Sequence, residues 1–209
     1  MEVLEKYKNI QDHDYDPIWS KINSTYDIMP SDYLDFAYID LKGNDLRSSI
    51  NALSNAKKAM HLQTEILANE FGYQKIKKKN NFPSMLEFLE HCGVITASVL
   101  QEINSVRNKV EHDYIVPEKS QISIFVDVVK LYLGATDNLL RRFPSNIVFP
   151  DTDDECDPIV KGVFNVALLQ GKGCVRLKYG LAEKVFERTV EVCEPEYFSW
   201  VKFLVNVSK

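Results

Sequence analysis

Apolar positions between residues 45 and 71 recur at spacings of three, four and seven: Leu46, Ile50, Leu53, Met60, Leu67 and Phe71. That period draws one apolar stripe along a long helix. Asn44 or Asp45 can cap its start and Gly72 can end it. Ser84 and Glu87 have capping-box spacing, so a short helix is expected from there to Gly93. A third helix is expected over 96–114, with Val99, Ile103, Val106 and Val110 on one face, stopped by Pro117. Ser120 opens a fourth, to about 142, carrying Ile122, Phe125, Val126, Val129, Leu133 and Leu140, with Pro144 just beyond. Four helices with short links suggest an up-and-down bundle.

The pattern changes on either side of this segment. Residues 1–40 are acidic and aromatic, with Trp19, Tyr26, Tyr33, Phe36 and Tyr38, and Pro17 and Pro30 interrupt any long helix. Short helices or turns packing on the main domain are expected there. After Pro144 comes an acidic linker, Asp151 to Pro158, and then runs rich in Val, Phe and Tyr. Val163–Leu169, Cys174–Tyr179, Val185–Val192 and Phe198–Val207 read as strands, with Gly171-Lys172-Gly173 as a hairpin turn. The expected fold class is α+β: an N-terminal extension over 1–40, a helical domain over 41–144, and a small antiparallel β domain over 145–209.

Charge changes this picture in one respect. The chain carries a net charge of −5, which by itself argues against nucleic acid as a partner. The distribution is uneven, however. Residues 1–40 hold three Lys against nine acids, whereas 41–144 hold 14 Lys and Arg against 11 acids. The basic middle contains Lys75, Lys77, Lys78 and Lys79, a run able to attract phosphate. No signal peptide is visible and no apolar run is long enough to span a bilayer, so a cytoplasmic protein is expected. The four cysteines form no C-x-x-C pair and read as reduced structural residues, and no zinc site or other cofactor is expected.

The candidate chemistry lies at the end of the helix expected over 96–114: Ser105-Val106-Arg107-Asn108-Lys109-Val110-Glu111-His112-Asp113-Tyr114. With Ile103 set at zero and about 100° per residue, Val99, Val106 and Val110 fall within roughly 60° of it, on the core side. Arg107 and Tyr114 fall near the edge of that stripe, at about 40° and 20°, and Asn108 and His112 at about 140° and 180°, facing away. An outward imidazole with a guanidinium and an amide in the preceding turn and a half suits RNA cleavage. Histidine can take the 2′-hydroxyl proton or protonate the leaving 5′ oxygen. Arginine can grip the phosphate and offset charge on the phosphorane. One helix does not aim Arg107 and His112 at one point, but a second copy across a two-fold axis can converge both sets.

Arg107-Asn108-x-x-x-His112 resembles the R-polar-x-x-x-H signature of HEPN domains (higher eukaryotes and prokaryotes nucleotide-binding). Arg107-x4-His112-x-Tyr114 resembles the form in HEPN toxins that pair with a small nucleotidyltransferase antitoxin. The resemblance covers about 100 of the 209 residues. It implies a four-helix bundle, a homodimer with the two motifs at its interface, and metal-independent RNase activity in toxin–antitoxin or phage-defence settings. It makes Arg107, His112 and Asn108 the catalytic set and Tyr114 the residue a nucleotidyltransferase partner would modify. Lys109 and the run Lys77, Lys78 and Lys79 are the expected RNA-binding cations. The competing expectation is a non-catalytic dimeric module that binds a nucleotide or a protein.

Overall fold

The structure is a computed structural model and describes residues 15–76, 81–96, 117–149, 163–181 and 184–207. Its elements are β1 (Asp16–Ser20), α1 (Pro30–Leu41), α2 (Leu46–Glu70), α3 (Phe82–His91), α4 (Lys119–Arg141), β2 (Phe143–Val148), β3 (Val163–Leu169), β4 (Cys174–Leu181), β5 (Lys184–Glu191) and α5 (Pro195–Val207). The class is mixed helix and antiparallel sheet. The five strands lie in the order β1-β2-β3-β4-β5, each antiparallel to its neighbour.

Helices α2 and α4 form where the apolar period predicts them, and the helix expected over 96–114 lies, past its first residue, outside the described residues. Asp45 caps α2, its carboxylate accepting from the Ser48 N–H at 2.9 Å. The start of α3 departs from expectation: Asn81, not Ser84, is the cap, accepting from the Ser84 N–H at 3.0 Å. Asn81 precedes Pro83, and proline suits the first turn because it has no N–H to satisfy there. Likewise α4 opens at Lys119 rather than at Ser120, its Glu118 N–H donating to the Gln121 side chain at 3.2 Å. Gly93, expected to end the short helix, lies just outside α3, and Pro117 lies two residues before α4.

Three expectations are corrected. Phe198–Val207, read as a strand, lies within helix α5. Tyr197, Trp200, Val201, Leu204 and Val205 are buried, a spacing of three, one, three and one that belongs to a helix. The N-terminal segment supplies a 5-residue strand and a 12-residue helix rather than short helices or turns alone. Pro30 opens α1, so that no described helix runs through it, and Pro17 is tolerated because β1 is an edge strand. Finally, an up-and-down order over 45–142 would reverse the first and last helices, yet α2 and α4 run the same way. Lys119 Nζ donates to Gly43 O and Asn44 Oδ1 at one end, and Gln63 donates to Thr136 near the other. The antiparallel neighbour of both is α1: Tyr38 meets Asp127 while Pro30 lies near Leu140.

The buried side chains form one cluster. Ile147, Val166, Leu168, Val175, Leu177 and Val190 give the sheet a buried face, against which α5 sets Trp200, Val201, Leu204 and Val205. The turn between β3 and β4 closes on the end of α2: Gly171 N–H donates to Glu70 O at 2.8 Å. Gly72 has φ 95°, and a β-carbon there would lie 2.1 Å from the Gly173 Cα. Both demands exclude any other residue at that position.

Candidate functional site

Arg107, Asn108, Lys109, His112 and Tyr114 lie outside the described residues, as do Lys77, Lys78 and Lys79. Their flanks are firmly held. After α3, Val94 N–H returns to Leu89 O at 3.0 Å, and Val94 and Ile95 pack on the core. Beyond Pro117, Lys119 is fixed to the loop before α2 by two hydrogen bonds of 2.8 Å each. Of the expected cations in the middle segment, Lys75 is described, at the C-terminal end of a 3-10 turn, Tyr73–Lys75.

Two other histidines are described, and both have structural neighbours. His61 on α2 stacks on Phe82 at 5.6 Å between ring centres. His91 Nδ1 lies 2.7 Å from Glu87 O, and its ring rests against Phe198. Cys92 and Cys174 are buried thiols, and burial pushes both upward in pKa. Among the described residues no group of three or more His, Cys, Asp or Glu side chains could hold a metal ion. Nor is any described helix long and apolar enough to cross a membrane.

The α2–α4 seam holds a reciprocal polar arrangement. Thr64 donates to Met60 O at 2.8 Å, which leaves its oxygen to accept from the Tyr132 hydroxyl at 2.7 Å. Thr136 donates to Tyr132 O at 2.8 Å and accepts from Gln63 Nε2 at 3.2 Å. Each threonine thus gives its proton to its own helix and its lone pair to the other. Burial pushes the Tyr132 hydroxyl up in pKa, so it keeps the proton this bond needs.

Beside this seam lies a cleft of about 420 Å³ between α1, α2 and α4. Leu34, Leu133 and Leu140 supply apolar wall, Gln63 reaches it from the seam, and Lys130, Asp35, Asp137 and Arg141 surround it. Arg141 is committed to Asp137 at 2.7 Å, and Lys130 Nζ sits 5.5 Å from the centre of the Tyr38 ring. Sequence reasoning passed over this cleft because its residues come from three helices and each reads as ordinary helix periodicity. The one local signal was Gln63, a polar residue on the apolar side of α2.

Comparison with known protein families, curated proteins and solved structures returns no match to this chain.

Proposed function

We propose that this chain is a metal-independent endoribonuclease of the HEPN type, acting as a homodimer in a cytoplasmic toxin–antitoxin or phage-defence role. The observation that carries the reading is the sequence arrangement Arg107-Asn108-x-x-x-His112, with Tyr114 two residues further on. It rests on the motif and not on helix order, since the α2–α4 pair does not follow an alternating bundle.

In this reading His112 removes the proton of the 2′-hydroxyl, whose oxygen attacks the adjacent phosphorus. The bond from phosphorus to the 5′ oxygen breaks, and that oxygen takes a proton from the histidine of the second copy. Arg107 grips the phosphate and offsets the charge that builds on the phosphorane. Asn108 orients the imidazole or donates to a phosphate oxygen. Lys109 and Lys77, Lys78 and Lys79 draw in the RNA backbone. The products are a 2′,3′-cyclic phosphate and a 5′-hydroxyl. Tyr114 is the site where a nucleotidyltransferase antitoxin would silence the enzyme.

The test is incubation of the purified chain with structured and unstructured RNAs in EDTA, with end-group analysis of the fragments. Cleavage leaving cyclic phosphate, reduced at least about 100-fold in His112→Ala, supports the reading. Cleavage unchanged in that variant, or no cleavage of any RNA, overturns it, and binding without cleavage would identify a non-catalytic module.

A further inference from the structure

We propose that the cleft between α1, α2 and α4 is a nucleobase-binding site, in which the Gln63 carboxamide reads the edge of the ring. The site uses none of residues 107–114, so it stands or falls separately from the nuclease reading.

Three observations converge on it. The first is Gln63, which is only 2% exposed yet lines the cleft. One amide hydrogen goes to Thr136. Among the described residues its carbonyl oxygen accepts no hydrogen bond, and its second amide hydrogen has no partner either. That oxygen is not one of the fully enclosed unpartnered side-chain atoms among the described residues, so it keeps an opening to solvent at the cleft that Gln63 lines. The carboxamide thus keeps an acceptor and a donor in reserve, the two functions by which glutamine pairs with a base edge.

The second observation is Gly134, inside α4, where glycine is the poorest helix former after proline. Its backbone does not adopt a positive φ, and a β-carbon added there would meet nothing within 4 Å. Neither conformation nor packing among the described residues therefore calls for glycine. Gly134 lines the same cleft as Gln63, and a flat occupant lying against the helix backbone explains why no side chain projects there.

The third is the balance of the surroundings. Leu34, Leu133 and Leu140 suit the faces of an uncharged ring. The charges are matched, Lys130 and Arg141 against Asp35 and Asp137, with Arg141 already paired to Asp137. A bare phosphate would meet as much repulsion as attraction, whereas a neutral heterocycle meets neither. The volume of about 420 Å³ falls within the roughly 300–1,000 Å³ of small-molecule sites.

The test is an NMR titration of the ¹⁵N-labelled full chain with adenosine, cytidine, guanosine and uridine in turn, and with inorganic phosphate. The signals followed are the Gly134 backbone amide and the Gln63 side-chain amide pair. At least one nucleoside is expected to shift both saturably, and phosphate neither. Gly134→Ala, which has room for its methyl group, should keep the melting temperature at or above that of the parent and weaken binding at least ten-fold. Gln63→Leu should weaken it similarly. An oligoribonucleotide of the preferred base that binds at least ten-fold more tightly than the nucleoside makes RNA the source, and equal affinity makes it a free nucleoside. Four nucleosides that leave both signals unmoved overturn the proposal. So does unchanged affinity in Gly134→Ala, or a leucine-rich peptide that moves these signals when no nucleoside does. Nucleoside binding that persists in His112→Ala, whatever that variant does to RNA cleavage, keeps the two readings distinct.

Discussion

The contact of α2 with α4 and the contact of α5 with the sheet are both buried, but they are built from different chemistry. Gln63, Thr64 and Thr136, the three buried polar residues among those described, all lie in the α2–α4 seam. The α5–sheet contact is made of Val, Leu, Ile and Trp side chains, with Tyr197 at its edge donating to Phe71 O. Hydrogen bonds fix direction and register, because sliding one helix past the other leaves several groups unpaired at once. Apolar packing fixes volume and is more tolerant of small shifts in register. The seam between helices therefore carries positional information, and the layer on the sheet carries bulk stability.

The largest effect should come from the sheet side. Trp200→Ala removes a nearly fully buried indole and is expected to cost about 3–5 kcal/mol in denaturant unfolding. A loss below about 1 kcal/mol would show that α5 contributes little to the core. The seam should respond differently. Thr64→Val keeps the shape but strands the buried Tyr132 hydroxyl, at a cost of about 1–3 kcal/mol. Adding Tyr132→Phe should recover part of that loss, because removing both partners leaves no orphan. Purely additive losses in this double-mutant cycle would mean that the hydrogen bond does not organise the seam.

The smallest effect is a pH dependence at the rim, where Tyr38 donates to Asp127 at 2.8 Å. Partial burial, reinforced by that carboxylate, raises the Tyr38 pKa from 10.0 to about 12. The fold thus favours the neutral phenol, so its contribution is complete below pH 10.0 and is lost as the pH rises towards about 12. Ultraviolet titration of the parent against Tyr38→Phe isolates this phenol. Asp127→Ala should lower its pKa only in part, because burial is the larger cause, and a full return to the ordinary value would invert that order.

Much of this architecture was legible locally. The span of α2 announced itself through period and cap, and β3, β4 and β5 through Val-rich runs and the Gly171-Lys172-Gly173 turn. Phe198–Val207 misled because a short aromatic and β-branched run looks like a strand unless Tyr197 and the helical spacing from it are counted. Strands β1 and β2 were missed for another reason. Asp16 pairs with Val148 and Ser20 with Phe143, and no local pattern links segments so far apart. Both strands also contain a proline, which lowers any local strand signal. The motif at Arg107 and His112 is a reading of the sequence alone and lies outside the described residues, whereas the cleft had no sequence reading, because it exists only once α1 lies across α2 and α4.

The contact of Gly72 with Gly173 bears on how the molecule comes apart. At that point the helical layer touches the β3–β4 turn backbone to backbone, and the same turn receives the Val192 N–H on Gly173 O at 2.8 Å. With no side chain between them to act as a compliant spacer, neither layer can loosen without tearing the other's main-chain bonds. Helices and sheet should therefore melt together, and the Gly171 amide should exchange its hydrogen as slowly as the interior of α2.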